Sequence, residues 1–365
     1  MIESCIAVGA TAVARRCHRR RMEKKMALRA WGRWPEWLLG AAVWIVAGLA
    51  LPGGANASGK ASGYVLRLAH VTSDKEPIQQ AMVYFADRVK ARSNGRIEII
   101  IFPNAQLGTN PEVFEQVRAG APIITIADPG YLGDFVADFG VLGGPYLIED
   151  PRQFSKIVSS DLYRDMSARL RKKANIALLA LNWLFGSRNL IADKPVSKPA
   201  DIAGMTVRVP PNIMWARTFQ AMGARPVQLP WSEVYSGLSS GVVDAAESPL
   251  PSIYAAKLYE VKKTVSLTRH FIGFTGLIVN AELFDSLAKD LQAILREESL
   301  AAGVFMTELM LNSEAEWTAK LEAEGVTINR DVDVAAFRNL TACVYDAFPN
   351  WTPGLYRRIR AILDH

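Results

Sequence analysis

From residue 64 onward, the apolar positions switch repeatedly between a period of two and a period near three and a half. Tyr64–His70 alternates apolar and polar residues, the pattern of a half-buried strand. After Ser73-Asp74, the residues Ile78, Met82, Phe85 and Val89 recur at spacings of three and four, which predicts a helix with Pro77 tolerated in its first turn. A strand over Arg96–Phe102, a loop through Gly108, a helix over Glu112–Ala119 and the apolar run Ile123–Ala127 follow. That run suits a buried parallel strand. The β-α-β-α-β order predicts an α/β layer architecture.

The middle of the chain continues the pattern. Ile176–Trp183 and Arg188–Ala192 read as strands, and Asp201–Val209 as a turn leading into another. Asn212–Met222 reads as a helix with Trp215 and Phe219 on one face. Pro226–Leu229 predicts a strand, Trp231–Ser239 a helix, and Val242–Ala245 and Phe271–Asn280 two more strands. Between Asp290 and about Glu324 there is no proline and only Gly303, while Leu291, Leu295, Phe305, Leu309, Trp317 and Leu321 keep helical spacing. One unbroken helix here would be roughly 50 Å long and could brace two lobes, with Gly325 closing it. Two helices broken at Gly303 are the alternative.

The N-terminus carries an address. A basic stretch after Met26, an apolar run over Trp37–Leu51 and Ala55-Asn56-Ala57 form the three parts of a secretory signal with an Ala-x-Ala cleavage site. The apolar run is short for a bilayer span, which needs ~20 residues, although an uncleaved anchor is the competing reading. Either Met1 or Met26 serves as the start. The predicted location is the periplasm.

The leader also accounts for the charge. Of 42 basic residues nine lie in residues 1–57, and of 36 acidic residues three do, leaving 33 of each in the remainder. The formal net charge of +6 therefore belongs to the leader, and a nucleic-acid partner is not expected. Cys343 is the single cysteine after the leader, too few for an internal disulfide, and is read as a small core residue. After the leader only His70, His270 and His365 remain, with no zinc-ligand spacing, so neither a metal nor a cofactor is expected. No nucleophile elbow, phosphate loop or His-Glu-x-x-His motif occurs, and Asp138-Phe139-Gly140 has no other kinase motif beside it. These absences argue for a protein that binds without catalysing.

The segment Gly186–Leu250 carries a series of short motifs in order. They are Lys194-Pro195, Asp201-Ile202-Ala203-Gly204, Val207-Arg208-Val209-Pro210, Gly223-Ala224-x-Pro226, Glu233-Val234-Tyr235 and Gly241-Val242-Val243-Asp244. Upstream stand Phe102-Pro103-x-Ala105-Gln106-Leu107-Gly108 and Gly144-Pro145-Tyr146-Leu147. In this order and spacing the chain resembles, from about Tyr64 onward, the solute receptors of tripartite ATP-independent periplasmic (TRAP) transporters, the DctP-type family. The resemblance implies a two-lobed periplasmic binding protein fold with hinge strands. Its expected division is residues 58–186 with about 275–313 in the N-terminal lobe, and 187–274 with about 314–365 in the C-terminal lobe. It further implies a monomer that binds a small organic carboxylate and delivers it to TRAP membrane subunits. A receptor feeding a sensor kinase, or a periplasmic hydrolase or isomerase, are the competing functions.

The resemblance also assigns site residues. Arg208 matches the arginine that makes a bidentate salt bridge to the ligand carboxylate, a role suited to a planar guanidinium. Arg188 matches a second arginine near the hinge. Ser248 stands where many relatives carry an asparagine, and Glu247 beside it either accepts from a ligand hydroxyl or holds the loop. Trp231 matches an aromatic position covering the ligand's apolar face, and Asn212 follows the Arg208 strand within reach. His70 and Asp128 end the first and third strands, where open α/β sheets form their clefts; Gln106 and Tyr131 complete the candidates. Polar candidates on several sides favour a sugar acid or hydroxy acid, while Trp231 leaves an aromatic or branched carboxylate open.

Overall fold

The computed structural model describes residues 63–364, so the predicted leader lies outside the described residues. Nine strands form one mixed sheet: β1 (Tyr64–Ala69), β2 (Ile97–Phe102), β3 (Ile123–Ala127), β4 (Ile176–Ala192), β5 (Thr206–Val209), β6 (Arg225–Gln228), β7 (Ala245–Ser248), β8 (Thr264–Asn280) and β9 (Thr327–Asn329). Their order is β2-β1-β3-β8-β4-β7-β5-β6, with β9 on β8. Parallel β1, β2 and β3 make one half, and parallel β5, β6 and β7 the other.

Antiparallel β4 and β8 belong to both halves. The far end of β8 pairs with β3 through Gly276–Val279, while the far end of β4 pairs with β7 through Asn189–Ile191. Each long strand has 17 residues. Their mutual pairing slips register four times between Leu178 and Leu190, and Gly186 there takes φ +115°. Bulges of this kind bend and twist a strand locally. Gly276 permits the close approach of β8 to β4, since an added Cβ would lie 1.8 Å from the Ala180 carbonyl oxygen.

Helices cover both faces. The predicted first helix is α1 (Pro77–Arg92), and Ile78, Met82, Phe85 and Val89 are all buried in it. Next come α2 (Asn110–Arg118), α3 (Pro129–Gly133), α4 (Ile213–Ala221) and α5 (Leu250–Ala255). The long segment is one helix, α6 (Lys289–Ala323), roughly 50 Å from end to end. Gly303 does not break it; an added Cβ there would sit 2.2 Å from Asn182 Oδ1, so the glycine lets the helix lie close on β4. Trp183 Nε1 donates to the Ser299 carbonyl at 2.9 Å, and Asn182 Nδ2 to the Leu300 carbonyl at 3.0 Å. Further on, Trp317 and Leu321 join a second core cluster with Val234, Leu250 and Ile253. The helix thus packs on α1 at one end and on α5 and β9 at the other. Among the described residues no helix is long and apolar enough to cross a membrane. Cys343 is exposed, contrary to its reading as a core residue.

Candidate functional site

Between the two halves lies a cavity lined by residues from both. Asp128, Tyr131, Arg188, Arg208, Trp231 and Ser248 all face it. Each stands at the end of a strand or just beyond one, except Arg188, which projects from the middle stretch of β4.

Arg208, in β5, is only 2% exposed. Its Nε and Nη2 donate to the Leu229 carbonyl at 3.0 and 2.7 Å, and its guanidinium carbon lies 5.4 Å from the Trp231 ring centre. No carboxylate pairs with it among the described residues, and Nη1 makes no hydrogen bond. Burial pulls its pKa down to about 10, with the field of Glu247 opposing the fall and that of Arg188 adding to it. The group still carries its charge at neutral pH. A buried cation whose hydration is lost and that no carboxylate bonds directly is a strong demand for an anion.

Arg188 is electrostatically satisfied in the same wall. Its Nε and Nη2 both donate to the Glu247 carboxylate, the latter at 2.8 Å. Burial opposes the charge on Arg188, but Glu247 outweighs it and holds the pKa above the ordinary value. Glu247 is fully enclosed; Arg188 overcomes the burial penalty and keeps this carboxyl well below the usual range. His270 Nε2 lies 3.4 Å from the same carboxylate, and burial depresses that imidazole's pKa.

Asp128 caps α3: Oδ1 accepts from the backbone of Gly130 at 2.8 Å and of Tyr131 at 3.2 Å. Oδ2 makes no hydrogen bond. Burial pushes the carboxyl up to about 6, with Arg188 acting in the opposite direction. Asp128 therefore offers an acceptor to a ligand hydroxyl without an ion-pair partner of its own.

Three candidates stand just behind the lining. Glu247 spends its oxygens on Arg188 rather than on the cavity. Asn212 caps α4 by accepting from Met214 N at 2.9 Å, and its Nδ2 packs on Gly130 of the facing half. His70 has both ring nitrogens engaged, with Thr72 Oγ1 at 2.7 Å and Gln79 Oε1 at 2.8 Å; Thr72 lines the cavity in its place. Gln106 is exposed, and its neighbour Ala105 takes the wall position. Sequence reasoning missed the aromatic lining of Phe185, Trp215, Phe271 and Phe274, together with Asn110 and Ser252. The only signal for Trp215 was its place on an apolar helix face, which a core residue shares.

The sequence profile of the bacterial extracellular solute-binding proteins of family 7, the DctP family, matches residues 68–350. The chain belongs to this family. The receptor's fold is similar to that of a TRAP periplasmic solute-binding protein from Actinobacillus succinogenes 130Z, solved with bound L-galactonate. That likeness has 36% identity, a TM-score of 0.80, and covers 82% of this chain and 99% of the other. A TRAP periplasmic solute-binding protein from Ochrobactrum anthropi with bound L-fuconate is 35% identical with a TM-score of 0.80, over 82% and 99% of the two chains. The 2,3-diketo-L-gulonate-binding periplasmic protein YiaO of Escherichia coli K12 is 28% identical over 273 residues, 74% of this receptor and 83% of that protein. Family 7 receptors are solute-binding proteins of the TRAP systems, and the expectation drawn from the motif series agrees with the profile match.

Proposed function

We propose that this receptor captures a sugar acid in the periplasm, without turning it over, and presents it as a monomer to the membrane subunits of a TRAP transporter. The observation that carries the reading is Arg208, a buried guanidinium that no carboxylate among the described residues bonds directly, facing the cavity between the halves. Its free Nη1 edge would hold the ligand carboxylate, with Arg188 nearby, while Trp231 covers an apolar face. Asp128 and Ser248 would serve the hydroxyls. The sugar acids held by similar receptors, L-galactonate and L-fuconate, support that choice over a plain aromatic acid. On this reading the N-terminal segment directs export, and the halves joined by β4 and β8 act as the two lobes.

A thermal-shift panel tests it, setting L-galactonate and L-fuconate against galactitol and L-fucose, which lack the carboxylate. An acid at a hundred times its dissociation constant is expected to stabilise the receptor by about 2.7 kcal/mol. Equal stabilisation by the uncharged analogues would overturn the assignment, as would conversion of the acid to a product on prolonged incubation.

A further inference from the structure

Glu76 is a buried carboxyl outside the cavity lining. It precedes α1 and is 2% exposed. One oxygen accepts from Ser73 N at 2.9 Å, and the other from Ser252 Oγ at 2.5 Å. Glu76 belongs to the β1–α1 segment of one half; Ser252 sits on α5, whose Leu250 and Ile253 pack into the second core cluster beneath the other. The pair therefore joins the two halves at the edge of the cavity, which Ser252 itself lines. At another point the halves meet through Gly130 and Asn212, where an added Cβ would lie 1.7 Å from Asn212 Nδ2.

The charges around Glu76 leave it unanswered. Arg188 of β4 is the cation whose field reaches it, but that guanidinium is committed to Glu247. In its own turn, Asp74 and Lys75 are both exposed to solvent and of opposite sign. His70, at the end of β1, is bound to Gln79 and Thr72, and burial depresses its pKa, which disfavours the charged imidazole. No ion pair reaches Glu76 among the described residues. Separating the halves would return this carboxyl to water, whereas joining them encloses it, and enclosure without a cation favours the neutral form. The bond to Ser252 survives protonation, because the carboxyl can then donate to the hydroxyl.

We propose that Glu76 and Ser252 form a latch across the cleft that takes up one proton as the halves close, so that solute capture is proton-coupled. This rests on the receptor reading above. Burial pushes Glu76 up to about 7 from its ordinary value of 4.5. The sign follows: between those values closure binds a proton, so affinity strengthens as pH falls through the window and is weakest above it. The limit is about tenfold per pH unit, or roughly 300-fold across the window. Asp128 titrates in the same direction, so the difference between wild type and Glu76→Gln isolates the latch.

Isothermal calorimetry with L-galactonate, from about pH 5 to about pH 8 and in two buffers of different ionisation enthalpy, reads both slope and proton count. Near the middle of the window the wild type is expected to take up close to one proton more than Glu76→Gln and to show the steeper pH dependence. Ser252→Ala is expected to bind more weakly while keeping that proton uptake. Identical slopes and proton counts in wild type and a folded Glu76→Gln would overturn the latch. Failure of every acid to bind at any pH counts against the receptor reading alone. Small-angle scattering of unliganded protein then decides the latch: the wild type must contract on acidification more than Glu76→Gln, and equal behaviour rejects it.

Discussion

Replacing Arg208 by methionine should weaken capture by at least an order of magnitude without harming the unliganded fold. The guanidinium is held down to about 10 from 12.5, which corresponds to a penalty of roughly 3 kcal/mol for keeping it charged at neutral pH. Against this stand its bonds to the Leu229 carbonyl and its contact with Trp231, together worth roughly 2–3 kcal/mol. The two nearly cancel, so Arg208→Met should leave the melting temperature of the free receptor unchanged or slightly higher. Ligand binding has no such compensation. Losing one partner of a buried, hydrogen-bonded charge pair costs about 2–5 kcal/mol, which is roughly 30-fold to several thousandfold in Kd. Arg208→Lys keeps the charge but not the fork, and should still lose about tenfold or more. Calorimetric titration with the tightest acid of the panel, beside scanning calorimetry of the free proteins, measures both effects. Binding within threefold of wild type by Arg208→Met would refute the role of this arginine. A large fall in the free protein's melting temperature would refute the claim that burial of the charge offsets what its contacts contribute.

Other substitutions test the surrounding structure. Arg188→Met should behave oppositely to Arg208→Met, destabilising the free receptor by about 3–5 kcal/mol because it leaves Glu247 buried with only the His270 imidazole beside it; urea midpoints would show this. Glu247 is depressed in the fold, so its contribution is complete above the unfolded value of 4.5 and is lost as pH falls below it. Thermal scans should accordingly show an acid-side fall in stability that is shallower in the Arg188→Met, Glu247→Gln double variant. Asp128→Asn should weaken L-galactonate binding by about 1–2 kcal/mol, or roughly tenfold, with little effect on an acid lacking the matching hydroxyl, measured by the same titration. Gly276→Ala places a methyl group 1.8 Å from the Ala180 carbonyl oxygen, so soluble yield or melting temperature should drop sharply, more than for Gly303→Ala, where only the Asn182 side chain must move.

Regular periodicity was the most legible part of the chain. The four apolar residues of α1 predicted its buried face, and Leu291, Leu295, Trp317 and Leu321 predicted that of α6, although Phe305 and Leu309 at the same spacings are only half-buried. Strands were harder wherever they bend. Bulges and Gly186 interrupt the alternation of β4, so one 17-residue strand read as two separate ones. Likewise β8 begins at Thr264 rather than Phe271, and β7 begins at Ala245, after the turn at Gly241 and Val242.

In the site, chain position identified the neighbourhood but not the direction in which each side chain points. Ser248 faces the cavity while adjacent Glu247 holds Arg188, and Asp128 faces it while His70 turns to Gln79. Neighbouring residues of a strand project to opposite sides, so a one-residue difference decides contact. Trp215 and Phe271 were hidden for another reason. An aromatic wall and an aromatic core have the same sequence signature, and these two rings pack on each other at 4.5 Å.

The sharing of β4 and β8 bears on how such a receptor can be altered. Without those strands each half keeps only a three-stranded parallel sheet, so a gene cut between the halves would yield fragments with β3 or β7 as an unpaired edge, prone to clump or to re-pair. Recombining whole halves from two relatives would have to splice both strands in mid-course, among bulges whose register must match. Retuning the preferred solute is better sought by grafting the short segments that end at the cavity, around Asp128, Trp231 and Ser248, onto an intact pair of crossing strands.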